Sequence, residues 1–276
     1  MTLVGLVELG RGVVPVDEPV LHVDDEGVLR GRAVFETLRV YGGTAFKLAE
    51  HLARLAASAE RLRLPAPPYE EFAKAASEAI AAAVHPDAML RFLWTAGREH
   101  GGAPAGFALV STLPPDLDAL RARGLRLAVV HWAPGPLAGA KSTSYAANMA
   151  AQDEALRSGA DDALLVTPDD TVLEAPTSNV WFREGDRLLT PSLALPVLAG
   201  VTRATLCELA PGLGYEVEEG VFALDRLLAS DEIFLTSSVR EVMPVIAVDG
   251  AEVARGPAAA ALEAALRAAA GYPDGQ

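Results

Sequence analysis

The sequence predicts a mixed α/β (α+β) protein of two domains, and three observations carry that expectation. Runs that alternate in polarity, such as Ala33–Tyr41, are interleaved with runs whose apolar residues recur at helical spacing, such as Leu48–Leu62. A chain of 276 residues has ample material for two cores. Pro114-Pro115 separates two sets of such elements and marks a boundary, giving domains over residues 1–114 and 115–276.

Leu3–Leu9 alternates and reads as a strand, broken by Gly10 and Gly12. Asp24-Asp25-Glu26-Gly27 reads as a polar turn. In Ala33–Tyr41, Phe35, Thr37 and Arg39 share one face and Val34, Glu36 and Leu38 the other. Gly42-Gly43 signals a hairpin, with Thr44–Phe46 returning. Leu48, Leu52, Leu55, Ala59 and Leu62 form one stripe of a helix that Pro65 stops. A helix over Glu70–Val84 follows, then strands over Met89–Ala96 and Phe107–Ser111.

The second half opens with a helix over Asp116–Arg123 and a strand over Leu125–His131. A proline-bearing loop leads to Lys141, and a helix spans Tyr145–Arg157. Ala163–Thr167 reads as a strand with Thr171–Glu174 pairing back. Asn179–Phe182 with Arg187–Leu189 reads as a hairpin, Thr202–Leu209 as a helix, and Glu232–Leu235 and Val242–Val248 as strands. Pro257–Ala270 closes the chain as an alanine-rich helix, with fraying expected from Gly271.

Composition excludes several classes of function. Hydrophobic residues make up 51% of the chain, a globular balance. A formal net charge of −14 opposes nonspecific binding to nucleic acid or anionic membrane. The single cysteine, Cys207, forms no internal disulfide, and no cysteine–histidine spacing reads as a metal site. Met1–Gly5 lacks the basic head and apolar run of a signal peptide, so a cytoplasmic protein is expected.

Lys141 stands apart from the other lysines, Lys47 and Lys74, which lie in helix-like surroundings. Small residues precede it in Ala138-Gly139-Ala140, and hydroxyl residues follow in Ser142-Thr143-Ser144. A lysine at a strand end facing a cleft is desolvated and available as a neutral amine for Schiff-base chemistry. Read alone, the stretch describes a solvated surface lysine, the usual setting for this residue. Gly200-Val201-Thr202-Arg203 opens a helix whose first N–H groups suit a phosphate, or simply carries a threonine cap. Thr236-Ser237-Ser238 ends an apolar strand with hydroxyls. Glu174 precedes Ala175-Pro176-Thr177-Ser178-Asn179 at a strand end, where a carboxylate can keep a pyridine nitrogen protonated or merely flank a turn. Arg54, among apolar neighbours, suits a phosphate or a salt bridge.

Taken in order, these runs resemble the class IV aminotransferases. The resemblance rests on Lys141 with Ser144-Tyr145, the Glu174–Asn179 run, Gly200–Arg203, and Phe234–Ser238 with Glu241. Phe35-Glu36-Thr37-Leu38-Arg39 and His51-Leu52-Ala53-Arg54-Leu55 extend it through the N-terminal half. It implies a pyridoxal 5′-phosphate (PLP) enzyme of fold type IV, with a small N-terminal α/β domain and a larger C-terminal pseudo-barrel domain. The activities implied are a D-amino acid or branched-chain aminotransferase, or an aminodeoxychorismate lyase. By the same resemblance Lys141 is the Schiff-base lysine and Glu174 the partner of the pyridine nitrogen. Arg54, Val201, Thr202 and Ser238 hold the phosphate, and Tyr145 lies near the phenolic oxygen. Phe35, Arg91, Arg98 and His100 are implied on the substrate side. Small amino and keto acids are the implied partners, acting on a homodimer.

Overall fold

The computed structural model describes residues 1–18 and 20–272. Its residues gather into two units, Met1–Pro115 with Ala140–Tyr145, and Asp116–Gly139 with everything from Ala146 onward. A cut at Pro114 would place Ala140–Tyr145 in the second unit; packing places it in the first.

The first unit contains strands β1 (Leu3–Glu8) and β2 (Gly12–Val13), helix α1 (Glu26–Arg30), and strands β3 (Ala33–Tyr41) and β4 (Thr44–Ala45). Helices α2 (Leu48–Arg61) and α3 (Tyr69–Ala83) and strands β5 (Ala88–Thr95) and β6 (Gly106–Ser111) complete it. The six strands pair antiparallel in the order β2-β1-β6-β5-β3-β4. Alternation along β3 does what its pattern demands: Val34, Leu38 and Val40 join the core with Leu52 and Leu55 of α2 and Phe72 of α3. Each of those leucines contributes about 1.5–3 kcal/mol by leaving water. Gly5 lets α3 close on β1, because a Cβ there would lie 2.6 Å from the Ala79 carbonyl oxygen.

The Asp24–Gly27 stretch is not a simple turn but the entry to α1, whose cap, Asp25, accepts from the Gly27 N–H at 2.7 Å. A five-residue helix with no buried residue leaves no apolar stripe to read.

Ala140–Tyr145 belongs to this unit because it acts as an extra strand. The Phe35 N–H donates to the Lys141 carbonyl at 3.0 Å and the Thr143 N–H to the Ala33 carbonyl at 2.9 Å. The segment thus covers the start of β3, whereas β4 covers only Val40 and Tyr41 at its end.

The second unit runs α4 (Leu117–Arg123), β7 (Leu125–His131), α5 (Ala146–Arg157), β8 (Asp162–Val166), β9 (Asn179–Glu184) and β10 (Arg187–Pro191). It continues through α6 (Val201–Leu209), β11 (Glu216–Gly220), α7 (Leu224–Leu228), β12 (Glu232–Ser237), β13 (Glu241–Val248), β14 (Ala251–Glu252) and α8 (Ala258–Ala269). The last helix stops before Gly271, which is left-handed at φ 71°, and residues 273–276 lie outside the described residues. The strands form a mixed sheet ordered β11-β10-β9-β12-β13-β7-β8, with β14 on β13. Residues 170–174 bond back to β8 through Leu165 and Leu173, and to the segment after β11 through Val172–Phe222 and Asp170–Leu224. Backbone pairing therefore continues from one sheet edge towards the other, as in the expected pseudo-barrel. Strand β11, Glu216-Val217-Glu218-Glu219-Gly220, shows no apolar alternation because edge strands carry charge, here paired with Arg187 and Arg203.

Candidate active site

In the first unit the site is built around Lys141. Its backbone is fixed twice, by the bond to Phe35 and by its own N–H donating to Ser58 Oγ at 3.1 Å. Ser58 sits on α2 one turn beyond Arg54. The lysine is only 9% exposed. Its Nζ lies 4.4 Å from the centre of the Phe35 ring and 5.7 Å from that of Tyr145, and the two rings meet edge to face at 5.3 Å. Arg91 reaches the same cluster, its guanidinium 5.9 Å from the Phe35 ring centre. Four residues named from the sequence, Lys141, Phe35, Tyr145 and Arg91, thus come together.

Arg54 lies beside them in a buried ion cluster that periodicity did not disclose. Glu36 faces inward from β3 and is fully buried. Its Oε1 accepts from Arg54 Nε and its Oε2 from Arg54 Nη2, both at 2.7 Å, a side-on bidentate pair. His51 Nδ1 adds a third contact to Oε2 at 2.7 Å. Burial alone would raise the carboxyl's pKa; the charge and hydrogen bonds of Arg54, with help from His51, hold it at about 2 instead. Burial pushes the His51 pKa down, and the opposing pull of Glu36 does not overcome it. The imidazole is therefore neutral near pH 7, and with a carboxylate opposite, Nδ1 carries the proton. The signal that could have found this cluster was an acidic residue on the apolar face of β3, which requires a partner, with His51, Arg54 and Ser58 at helical spacing opposite.

Arg98 and His100 do not join this group in the described chain. They lie between β5 and β6, where Arg98 forks onto Asp24 at 2.8 Å while 52% exposed. His100 is exposed, with a left-handed backbone at φ 66°.

The second unit holds the other named residues. Glu174 Oε2 accepts from Asn179 Nδ2 at 3.1 Å and from the Leu198 N–H at 3.0 Å. Helix α6 starts from Gly200, not from a threonine cap: Gly200 is the N-cap and supplies no side chain, so the N–H groups of Val201 and Thr202 open the helix without a side-chain lid. Ser238 follows β12, whose Thr236 pairs across with Asn179. The turn carrying Ser238 is clamped by Arg240 on buried Asp162 at 2.5 Å, and by Glu241 on Arg121 and Arg267 at 2.9 and 2.8 Å. In the Glu174 loop, Ser178 Oγ is buried with no hydrogen-bond partner among the described residues. No group of histidine, cysteine and carboxylate side chains suited to a metal occurs among the described residues.

Chemically, the first unit offers a buried amine against two aromatic rings and a guanidinium oriented by a buried carboxylate. The second offers a carboxylate locked by two donors and a helix N-terminus suited to an anion.

Comparison with known proteins agrees with this chemistry. The model of amino-transferase class IV matches residues 33–248. A bifunctional aminodeoxychorismate lyase / D-amino acid transaminase of Mycobacterium tuberculosis is 34% identical, over 92% of this chain and 94% of its own length. A putative branched-chain-amino-acid aminotransferase of Methanocaldococcus jannaschii is 32% identical, over 83% of each chain. Among solved structures, a hypothetical aminotransferase from Mycobacterium tuberculosis in its alpha-ketoglutarate and PMP bound form superimposes with a TM-score of 0.91 at 33% identity, covering 96% of this chain and 98% of that one. The chain belongs to the class IV aminotransferases.

Proposed function

We propose that the protein is a PLP-dependent aminotransferase that moves an amino group between a D- or branched-chain amino acid and a 2-keto acid. The observation that carries this reading is Lys141, a buried amine fixed at its backbone by β3 and Ser58 and flanked by Phe35 and Tyr145. The residues present suit the cofactor. Arg54 and the opening N–H groups of α6, with Ser238, suit its phosphate, and Glu174 suits its ring nitrogen. The buried Ser178 hydroxyl in the Glu174 loop, without a hydrogen-bond partner among the described residues, is what a polar ligand would satisfy.

When bound, PLP supplies an aldehyde that condenses with amines and a ring that withdraws electrons from the substrate Cα. The rest is the work of side chains. Lys141 Nζ is the amine that would hold the cofactor, and as a neutral amine it would take the proton from the substrate Cα and later return one. Glu174, oriented by two donors, would keep a proton on the ring nitrogen. Arg54 in the first unit and the opening of α6 in the second each offer donors suited to a phosphate. Tyr145 and Phe35 shield the amine from water, and Arg91 offers a cation for the substrate carboxylate. A homodimer in the cytoplasm is part of the same reading. No helix among the described residues is long and apolar enough to cross a membrane.

The bifunctional name of the Mycobacterium tuberculosis relative supports a second reading, an aminodeoxychorismate lyase releasing pyruvate and 4-aminobenzoate. Mixing the purified enzyme with D-alanine or L-leucine separates the two. Conversion of the cofactor spectrum to the pyridoxamine form is expected, and which of the two amino acids drives it names the substrate class. A spectrum indifferent to both amino acids, with pyruvate released from aminodeoxychorismate, would replace the aminotransferase reading with the lyase.

A further inference from the structure

Asn179 stands where three pieces of the second unit meet. Its Nδ2 has two protons, and each has a partner: Glu174 Oε2 at 3.1 Å and the Leu198 carbonyl at 2.9 Å. Leu198 in turn donates its N–H to the same carboxylate oxygen at 3.0 Å, so Asn179, Glu174 and Leu198 close a ring of hydrogen bonds. Two residues on, Gly200 caps α6, and a Cβ on Gly200 would lie 1.9 Å from Asn179 Oδ1. Across the sheet, Asn179 pairs with Thr236, at the end of the strand that leads to Ser238. The amide orientation follows from its partners, because the reverse flip would set Oδ1 against a carboxylate and a carbonyl. Asn179 is itself buried, so its donors have no water to fall back on.

We infer that Asn179 is a positioning residue that locks Glu174 to the entry of α6, setting the carboxylate that faces the cofactor's ring nitrogen and the helix end that faces its phosphate as one rigid unit. This rests on the PLP reading above. Asn179 acts through Glu174 and the α6 entry. The absent side chain at Gly200 belongs to the same device: α6 begins on glycine because the asparagine amide fills the space a methyl group would need. Replacing the amide by a carboxylate would set two like charges together where a donor now stands, and the shared site would then hold a proton that Glu174 otherwise yields to the ring.

The test uses holoenzyme loaded with PLP carrying ¹⁵N in the pyridine ring. The ¹⁵N chemical shift reads ring protonation directly, and equilibrium dialysis reads cofactor affinity. Asn179→Asp and Asn179→Ala are expected to move the shift towards the unprotonated ring and to weaken PLP binding by about tenfold, the scale of one charge-assisted hydrogen bond. Gly200→Ala keeps both Asn179 and Glu174 and is expected to move the shift the same way, so the inference survives an Asn179 variant that fails to fold. Glu174→Gln sets the reference for a lost ring partner. If Glu174→Gln moves the shift and the Asn179 and Gly200 variants match wild type in shift and affinity, the coupling is refuted while the role of Glu174 stands. If Glu174→Gln leaves the shift unmoved, Glu174 is not the ring partner, and the coupling falls with it.

Discussion

Replacing Lys141 with alanine is expected to remove the long-wavelength absorbance of the PLP-loaded protein and to lower turnover by about 10⁴-fold, the upper range for a positioned acid–base group. The expectation follows from scarcity and placement together. The chain has three lysines. Lys47 pairs with Glu50 at 3.1 Å, and Lys74 is 77% exposed beside Glu78. Lys141 alone of the three is buried, and its backbone is held from two sides. The substitution removes the amine but none of those backbone bonds, so the variant should fold and still bind PLP noncovalently. A variant that kept its colour and turnover would sink the assignment.

Glu36→Gln is expected to cost about 3–5 kcal/mol of folding stability, the usual penalty for leaving a buried charge without its counter-ion. Arg54 is the charge left behind, with a side chain only 12% exposed. Glutamine preserves the shape but cannot accept from both Nε and Nη2 of Arg54 and from His51 as one anion does. The same substitution is expected to weaken PLP binding, because Glu36 fixes the orientation of the Arg54 guanidinium. The acid limb of stability provides the signature. Glu36 sits at about 2 against an ordinary 4.5. Its contribution, on the order of 3 kcal/mol, is complete above pH 4.5 and lost as pH falls from 4.5 towards 2. His51 adds an earlier slope. Its pKa is lowered from 6.5, so below that pH the unfolded chain takes up a proton that the folded chain refuses, and stability declines. Urea midpoints from pH 7 down to pH 3 measure both effects. The variant should lose the steep limb below pH 4.5, and a variant within about 0.5 kcal/mol of wild type throughout would reduce the ion cluster to a spectator.

Local pattern carried much of the fold and part of the site. The period of two along Ala33–Tyr41 and the stripe from Leu48 to Leu62 were readable because each element buries one face against one core. The same logic failed for α1, which buries nothing, and for β11, whose glutamates carry the disguise of an edge. Lys141 was legible as unusual, but its membership of the first unit was not. That depends on pairing with Ala33 and Phe35, more than a hundred residues earlier, and no local period encodes such a register. Glu36 was visible in its motif, yet its partnership with Arg54 and His51 needed strand and helix in place. Asn179 carried no signal beyond its place in the Glu174–Asn179 run. What it does arises from a close approach to Gly200 that only the folded chain shows.

The central claim, that Lys141 is the amine that takes the cofactor, meets its most direct test in borohydride reduction of the PLP-loaded protein followed by peptide mass mapping. The account predicts the cofactor's mass fixed to the peptide bearing Lys141. Label on Lys47 or Lys74, or on no lysine, would contradict it.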